Sequence, residues 1–450
     1  MKNRGLYITL CVLTVVLLVL PTAQQHLHLF KLKPLKGVNN ATERPKLSVK
    51  EFLDGTYQAN ENQYLAENIG FREPLIRYYN QLMWSLFHKT YCQDVVVGKD
   101  KWLYGNRSVN DYFRQTPYLY ADNDEELVKN FEKSIARVKK VQQILNERGT
   151  KLFVLICPSK DEICPEHLPT GRSFVMYERL RAVEYFPKAF AENGINFIDM
   201  NAWFKQLKDK VDYPLFPKTG THWSNVACMH ACDSLIRYME RLTGMNMPNI
   251  SVGPMYSSET RKPDGDLEGI MNLIWEIKPN QNYYADVTVI PDSTAQRLNL
   301  ITIGDSFFWN IAYTMPMDEL FESHPYWYYF STVYYDPKHK NVKQLDLMTE
   351  LDHADVVMIL LTNNHLYDIF GGFFNKVLTC FSDPDPDTLN NILEDIMKKM
   401  DANSDWLAKI KEKAERKGIS LEEMKRADAI YLFRQNPDKY ISKYIQEKTD

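Results

Sequence analysis

The hydrophobic pattern of the chain switches between two kinds of segment, and the switching predicts most of its elements. Lys151-Leu-Phe-Val-Leu-Ile-Cys-Pro158, Ile195-Asn-Phe-Ile-Asp199, Leu300-Ile-Thr-Ile303 and Ala354-Asp-Val-Val-Met-Ile-Leu-Leu361 are short apolar runs of the kind found in strands buried on both faces. Between them the spacing becomes that of helices. One runs from Asp124 to about Arg148, opened by acids and closed at Gly149; another covers residues 175–192; a third runs from Asn225 to Leu242, capped by Ser224. Helices alternating with such strands predict an α/β fold with a mostly parallel sheet flanked by helices on both faces. Earlier in the chain, residues 48–91 carry a helical pattern, and Val95-Val-Val-Gly-Lys-Asp-Lys-Trp-Leu-Tyr104 predicts a β-hairpin turning over Gly98 to Lys101.

The two ends differ from this body. Lys2 and Arg4 precede Leu6 to Leu20, a run without charge. Pro21-Thr22-Ala23 is a poor cleavage pattern, so residues 1–23 are expected to form an uncleaved membrane anchor. The basic residues favour a cytoplasmic N-terminus and an exported body. Residues 24–59 are expected to be a polar, proline-dotted spacer and 60–380 the main domain. A Pro/Gly-rich insertion over about 245–296 carries Asp264-Gly-Asp-Leu267 and is expected to form loops and a hairpin near the site. Residues 381–450 turn charged and helical, with Leu407, Ile410, Ala414 and a second pattern after Ser420 predicting two or three surface helices.

Charge and composition narrow the function. The formal charge is −4 with no long basic run, which argues against a nucleic-acid partner. With 27 Tyr and 8 Trp, carbohydrate is a candidate ligand, because aromatic rings stack on sugars as well as filling cores. The seven cysteines are scattered rather than arranged as a disulfide framework. Cys157 and Cys164 fit either a bridge or buried free thiols. On one helix Cys228 and Cys232 share a face while His230 points away, so no metal site is expected there.

The stretch Asn299-Leu-Ile-Thr-Ile-Gly-Asp-Ser-Phe-Phe-Trp-Asn310 runs from an apolar strand through a glycine turn into a helix. That order puts the Ser306 hydroxyl at the carboxyl end of a sheet, where ligands of open α/β folds bind. Asp305 and Ser306 also fit a plain helix cap. Thr221-His222-Trp223-Ser224 enters the helix beginning near Asn225, and His222 is the one histidine in so compact a polar loop. An imidazole near such a serine can take its proton during attack and return it to the leaving group. Asn363 and Asn364, just past the strand ending at Leu361, are candidate oxyanion donors or turn caps. Lys160 is a candidate substrate contact or a solvated loop lysine. Trp223 and Trp309 flank the pair as candidate sugar platforms or packing residues.

The order of these features resembles the SGNH-hydrolase-like domain of the AlgJ/AlgX type of alginate O-acetyltransferase, over roughly residues 60 to 375. The matching pieces are the membrane-proximal anchor, Gly70-Phe-Arg-Glu73, the hairpin, Pro158-Ser-Lys160 with Pro165-Glu-His-Leu-Pro169, Thr221-His-Trp223 and Gly304-Asp-Ser306. The resemblance implies Ser306 as nucleophile and His222 as base, with no metal or nucleotide cofactor. It also implies an acetyl-serine intermediate, a polysaccharide acceptor and a polytopic membrane acyltransferase that supplies the acetyl group. The expected location is periplasmic or otherwise extracytoplasmic, on the cytoplasmic membrane. One position departs from the pattern: the family's aspartate two residues before the histidine is Gly220 here. Three outcomes follow from that departure: a Ser–His dyad, a carboxylate from elsewhere such as Asp264 or Asp266, or an inactive site. Asp264 and Asp266 read more simply as turn residues. An esterase and a non-catalytic polysaccharide-binding or assembly protein are the alternatives to a transferase.

Overall fold

A computed structural model describes residues 4–37, 42–171, 174–278, 281–381 and 386–435, together with 437 and 440. In chain order the strands are β1 (Val95–Val97), β2 (Leu103–Gly105), β3 (Lys151–Ile156), β4 (Phe197–Asp199), β5 (Asn249–Val252), β6 (Tyr256–Glu259) and β7 (Gln281–Tyr284). They continue with β8 (Val287–Ile290), β9 (Leu298–Gly304), β10 (Phe321–Ser323), β11 (Tyr326–Tyr328), β12 (Thr332–Tyr334) and β13 (Val356–Leu361). The central sheet has seven strands in the order β12-β11-β9-β13-β3-β4, with β10 also pairing with β9. All its pairings are parallel except β11–β12, which places one antiparallel strand at an edge.

The continuous apolar runs have the reason predicted for them, since both faces of the sheet are covered. Leu152, Val154, Ile156, Ile301, Ile303, Val357 and Ile359 face one core, against the helices Asp124–Glu147, Ala182–Glu192 and Gly371–Phe381. Phe153, Leu155, Leu300, Met358 and Leu360 face the other, against Met200–Leu207, Asn225–Thr243 and Phe308–Thr314. Period-2 alternation thus survives inside runs that look uniformly apolar. The helix Asp124–Glu147 begins where the Asn123 side chain accepts the Glu126 amide, with three acids in its first turn. This is the α/β architecture with a mostly parallel sheet flanked by helices that the sequence implied.

One expectation is corrected, and two regions hold more structure than the sequence indicated. The helix expected over 175–192 begins only at Ala182. Arg179 and Arg181 pull the preceding segment into an extended path, pairing with Asp124 at 2.6 Å and Glu162 at 2.5 Å. Residues 321–334 add β10, β11 and β12, which the sequence pattern did not indicate. The insertion holds two antiparallel pairs, β5–β8 and β6–β7, and the short helix Asp266–Ile270. The helices Pro386–Asp401, Ser404–Lys417 and Leu421–Gln435 pack around a core of their own that includes Ile392, Ile396, Ile410 and Phe433. At the other end, Arg4–Leu27 is one helix long and apolar enough to cross a membrane. Cys157 and Cys164 are free thiols, both buried.

Candidate active site

The parallel register brings three strand ends to one rim: Leu360 pairs with Gly304, and Leu361 with Ile156. A Cβ at Gly304 would lie 3.0 Å from the Leu360 carbonyl oxygen, so glycine keeps the β9–β13 ladder close up to the turn. Asp305 then ties two turns together. Its Oδ1 accepts the Phe307 amide at 3.1 Å, while Oδ2 accepts the Thr362 amide at 2.7 Å and the Thr362 hydroxyl at 2.9 Å. With both oxygens occupied, Asp305 fixes Ser306 relative to Asn363 and is not itself placed to react.

Ser306 is partly exposed, and its Oγ lies 2.9 Å from Nε2 of His222, which comes from a loop 84 residues earlier. Only 5% of His222 is exposed. If Nε2 is to accept the serine proton, Nδ1 must carry the ring hydrogen, and Nδ1 faces Oδ2 of Asp266 at 3.4 Å. That separation is an electrostatic contact slightly too long for a good hydrogen bond, and Nδ1 has no other partner among the described residues. The other Asp266 oxygen accepts the Thr221 amide at 2.8 Å, which fixes the carboxylate beside the ring. Burial alone would push the His222 pKa down. The adjacent Asp266 carboxylate outweighs it, with Asp305 and Asp264 adding to the effect, and the net shift is upward. Burial likewise pushes Asp266 up, but the His222 charge and the bonds from His222 and Thr221 prevail and hold it low.

Gly220 explains how this carboxylate reaches the histidine. A Cβ at position 220 would sit 2.1 Å from the Asp264 carbonyl oxygen and 3.0 Å from Asp266 Oδ1. The space that a side chain at 220 would need is therefore filled by the 264–266 turn. Of the three outcomes left open by the sequence, the geometry corresponds to a carboxylate from elsewhere. Asp266, read most simply as a turn residue, lies against the imidazole.

The remaining candidates separate clearly. Asn363 is 1% exposed; its Oδ1 accepts a 2.9 Å hydrogen bond from Asn201, and its Nδ2 has no partner among the described residues. It is thus an oriented, unspent donor on the turn that Asp305 anchors beside Ser306. Asn364 is half-buried, and its Oδ1 is buried without a partner among the described residues. Lys160 does not line the rim. It is 2% exposed, and its ammonium donates to the carbonyls of Leu103, Pro217, Lys218 and Gly220 at 2.7–3.1 Å. The rings of Trp102 and Tyr104 stand about 5 Å from it. It braces the loop that carries His222 against the β1–β2 hairpin. Trp223 is 1% exposed and packs on Phe204 and Phe307, which leaves no face for a sugar. Trp309 is half-buried inside a ring of tyrosines. Asn201, which orients Asn363, carried no sequence signal; it lies on a helix two elements away.

Comparison with known proteins places this arrangement. Residues 95–305 match the family model described as the SGNH hydrolase-like domain of acetyltransferase AlgX. The probable alginate O-acetylase AlgJ of Pseudomonas aeruginosa is 28% identical over 196 residues, 43% of this chain and 44% of that one. The protein of the same description from Pseudomonas syringae is 27% identical over 145 residues, 31% of this chain and 32% of that one. The matches thus span less than half the length of these curated relatives. Among solved structures, the O-acetyltransferase domain of Pseudomonas putida AlgJ is 16% identical, covers 61% of this chain and 92% of its own, and has a TM-score of 0.39. Bacillus cereus PatB1 is 12% identical, with 61% and 98% coverage and a TM-score of 0.38. The resemblance to the SGNH-hydrolase-like domain of the AlgJ/AlgX type holds over the matched region.

Proposed function

We propose that this chain is an exported O-acetyltransferase that carries acetyl through Ser306 to a hydroxyl of a polysaccharide. The observation that carries the reading is the line Ser306 Oγ, His222, Asp266, with contacts of 2.9 and 3.4 Å made by side chains from three separate segments. His222 takes the Ser306 proton as Oγ attacks the donor carbonyl. The Asn363 amide and the Ser306 backbone amide stabilise the oxyanion, and collapse of the intermediate expels the donor alcohol with the proton from His222. In the second half His222 deprotonates an acceptor sugar hydroxyl, which attacks the acetyl-serine and regenerates Ser306. Asp266 keeps the imidazole in the tautomer and charge state both halves require. The names of the matched relatives support the transfer class and a polysaccharide acceptor. The Arg4–Leu27 helix is consistent with tethering at the cytoplasmic membrane; delivery of the acetyl group by a polytopic membrane acyltransferase is part of the proposal and rests on the family resemblance alone. The inactive alternative drew on Gly220, and the Asp266 contact favours the catalytic reading over it.

Single-turnover labelling tests the proposal. The parent protein, mixed with a small acetyl ester, should gain one acetyl group on Ser306, detected by peptide mass. Equal labelling of Ser306→Ala overturns the covalent mechanism. Added oligosaccharide should then discharge the label faster than water does; discharge by water alone would indicate an esterase.

A further inference from the structure

Between the insertion and the helix after Ser306 lies a cavity of about 280 Å³, lined among others by Tyr256, Arg261, Asp264, Tyr284, Asn310 and Tyr313. Its two buried polar residues, Asp264 and Asn310, are each 1% exposed. Among the described residues, neither Asp264 oxygen makes a hydrogen bond of ordinary geometry, and neither does Asn310 Oδ1. The Asn310 amide nitrogen is already spent on the Trp223 carbonyl at 3.0 Å. Burial raises the Asp264 pKa to about 6, although the nearby Tyr284 hydroxyl, His222 and Asn310 draw it back down. The cavity therefore presents three acceptor oxygens without an ordinary hydrogen bond, beside the Tyr284 hydroxyl and the Arg261 and Lys262 side chains. Such buried acceptors are costly to leave unpaired, so the arrangement suits a ligand that donates to them.

The remaining walls decide which donor. Arg261 and Lys262 line the same cavity, and their charge disfavours a bound metal ion. The Arg261 guanidinium lies over the rings of Tyr256 and Tyr284, at 5.3 and 4.6 Å. Tyr313 is 64% exposed and is stacked at 5.9 Å on Trp309. Acceptor oxygens facing hydroxyls, next to an open aromatic face, are the two requirements of pyranose recognition. We infer that the cavity is a glycan subsite, in which ring hydroxyls donate to Asp264 and Asn310 while Tyr313 covers a sugar face. The inference rests on the reading of the chain as a polysaccharide O-acetyltransferase and names where the acceptor is held. The subsite shares two segments with the reacting groups: Asn310 lies four residues beyond Ser306, and Asp264 two before Asp266.

Isothermal titration of the full Ser306→Ala chain in detergent tests it, with tetrasaccharides of neutral hexose and of hexuronate as probes and calcium chloride as a third arm. At least one saccharide should bind, and Asp264→Asn and Tyr313→Ala in that background should each weaken it about tenfold or more. Tyr313→Ala changes an exposed ring and should fold normally; a melting curve checks Asp264→Asn. With Ser306 intact, Tyr313→Ala should still form acetyl-enzyme from a small ester at the parent rate. Absence of saccharide binding, binding indifferent to both variants, or calcium saturation lost with Asp264→Asn overturns the assignment. Acetyl-enzyme that forms while saccharide ignores the cavity sinks the subsite alone. Cavity-dependent binding without any acetyl-enzyme sinks the transferase reading alone.

Discussion

Replacing Asp266 by Asn keeps the shape of the side chain and removes its charge. At 3.4 Å, a carboxylate and an imidazolium attract by about 5 kcal/mol at an effective dielectric constant near 20, and by about 1 kcal/mol in bulk water. The Asp266 side chain keeps 30% of its surface exposed, which puts the pair between these limits, at about 3–4 kcal/mol. The transition state contains the imidazolium, so Asp266→Asn should lower kcat/KM for acetyl transfer roughly 10²–10³-fold. The pH profile gives a second reading. The His222 pKa is raised in the parent, and the base works only when neutral, so activity should climb with pH through a value above that of a free imidazole. Without the Asp266 charge, burial is left to act and the acid limb should move to lower pH. Stability follows the same linkage. A raised histidine contributes stability below its unfolded pKa of about 6.5, lost as pH rises through the folded value. The depressed Asp266 contributes above about 4, lost as pH falls through its folded value. The Tm difference between parent and variant should therefore be greatest between about pH 4 and 6.5 and shrink above that window. A rate within threefold of the parent, with an unmoved acid limb, refutes the role given to Asp266.

Gly220→Ala should be as damaging as a direct hit on the triad, because the added Cβ meets the Asp264 carbonyl at 2.1 Å. The displaced turn should reduce transfer by about 10²-fold and cost about 1–3 kcal/mol in denaturant melts. A fully active, fully stable Gly220→Ala would show that the turn is not held there. Asn363→Ala removes a donor needed only when the oxyanion forms, so kcat should fall roughly 10²–10³-fold with KM nearly unchanged; a pure KM effect would assign Asn363 to substrate binding. Lys160→Met strands four carbonyls, three of them in the loop that carries His222. It should destabilise by about 3 kcal/mol or more, and a variant of parental stability that has lost only substrate affinity would restore the substrate contact expected from the sequence.

The sheet was legible because its strands are long enough to show their character. Leu152 to Ile156 and Val356 to Leu361 are buried on both faces, and nothing but an interior parallel strand accommodates such a run. β10, β11 and β12 are as short as β1, β2 and β4, three residues each, but no turn-bounded aliphatic run marks them, and their tyrosines and tryptophan look like surface aromatics. The serine and the histidine were legible for a local reason, since each sits where a loop or strand turns into a helix. Lys160 was not. A lysine after a strand looks solvated unless one knows that four carbonyls converge on it, and those carbonyls come from residues 103 and 217–220, far from it along the chain. Asp266 was hidden in the same way, as an acid in a glycine-containing turn that nothing nearby in the sequence connects to His222.

Gly220 shows why such a site is misjudged when positions are considered one at a time. Glycine in place of an orienting aspartate looks like loss of function. In the fold it makes room: the Asp264 carbonyl and the Asp266 carboxylate occupy the volume a side chain at 220 would fill, so an acid at 220 and this turn cannot coexist. The exchange also alters what the histidine is coupled to. A carboxylate two residues away is carried by the histidine's own loop. Asp266 belongs to an insertion whose hairpin β6–β7 also frames the cavity containing Asp264. The turn that carries Asp266 lies between β6 and β7, so the segment proposed to hold the acceptor sugar also carries the carboxylate that lies 3.4 Å from His222.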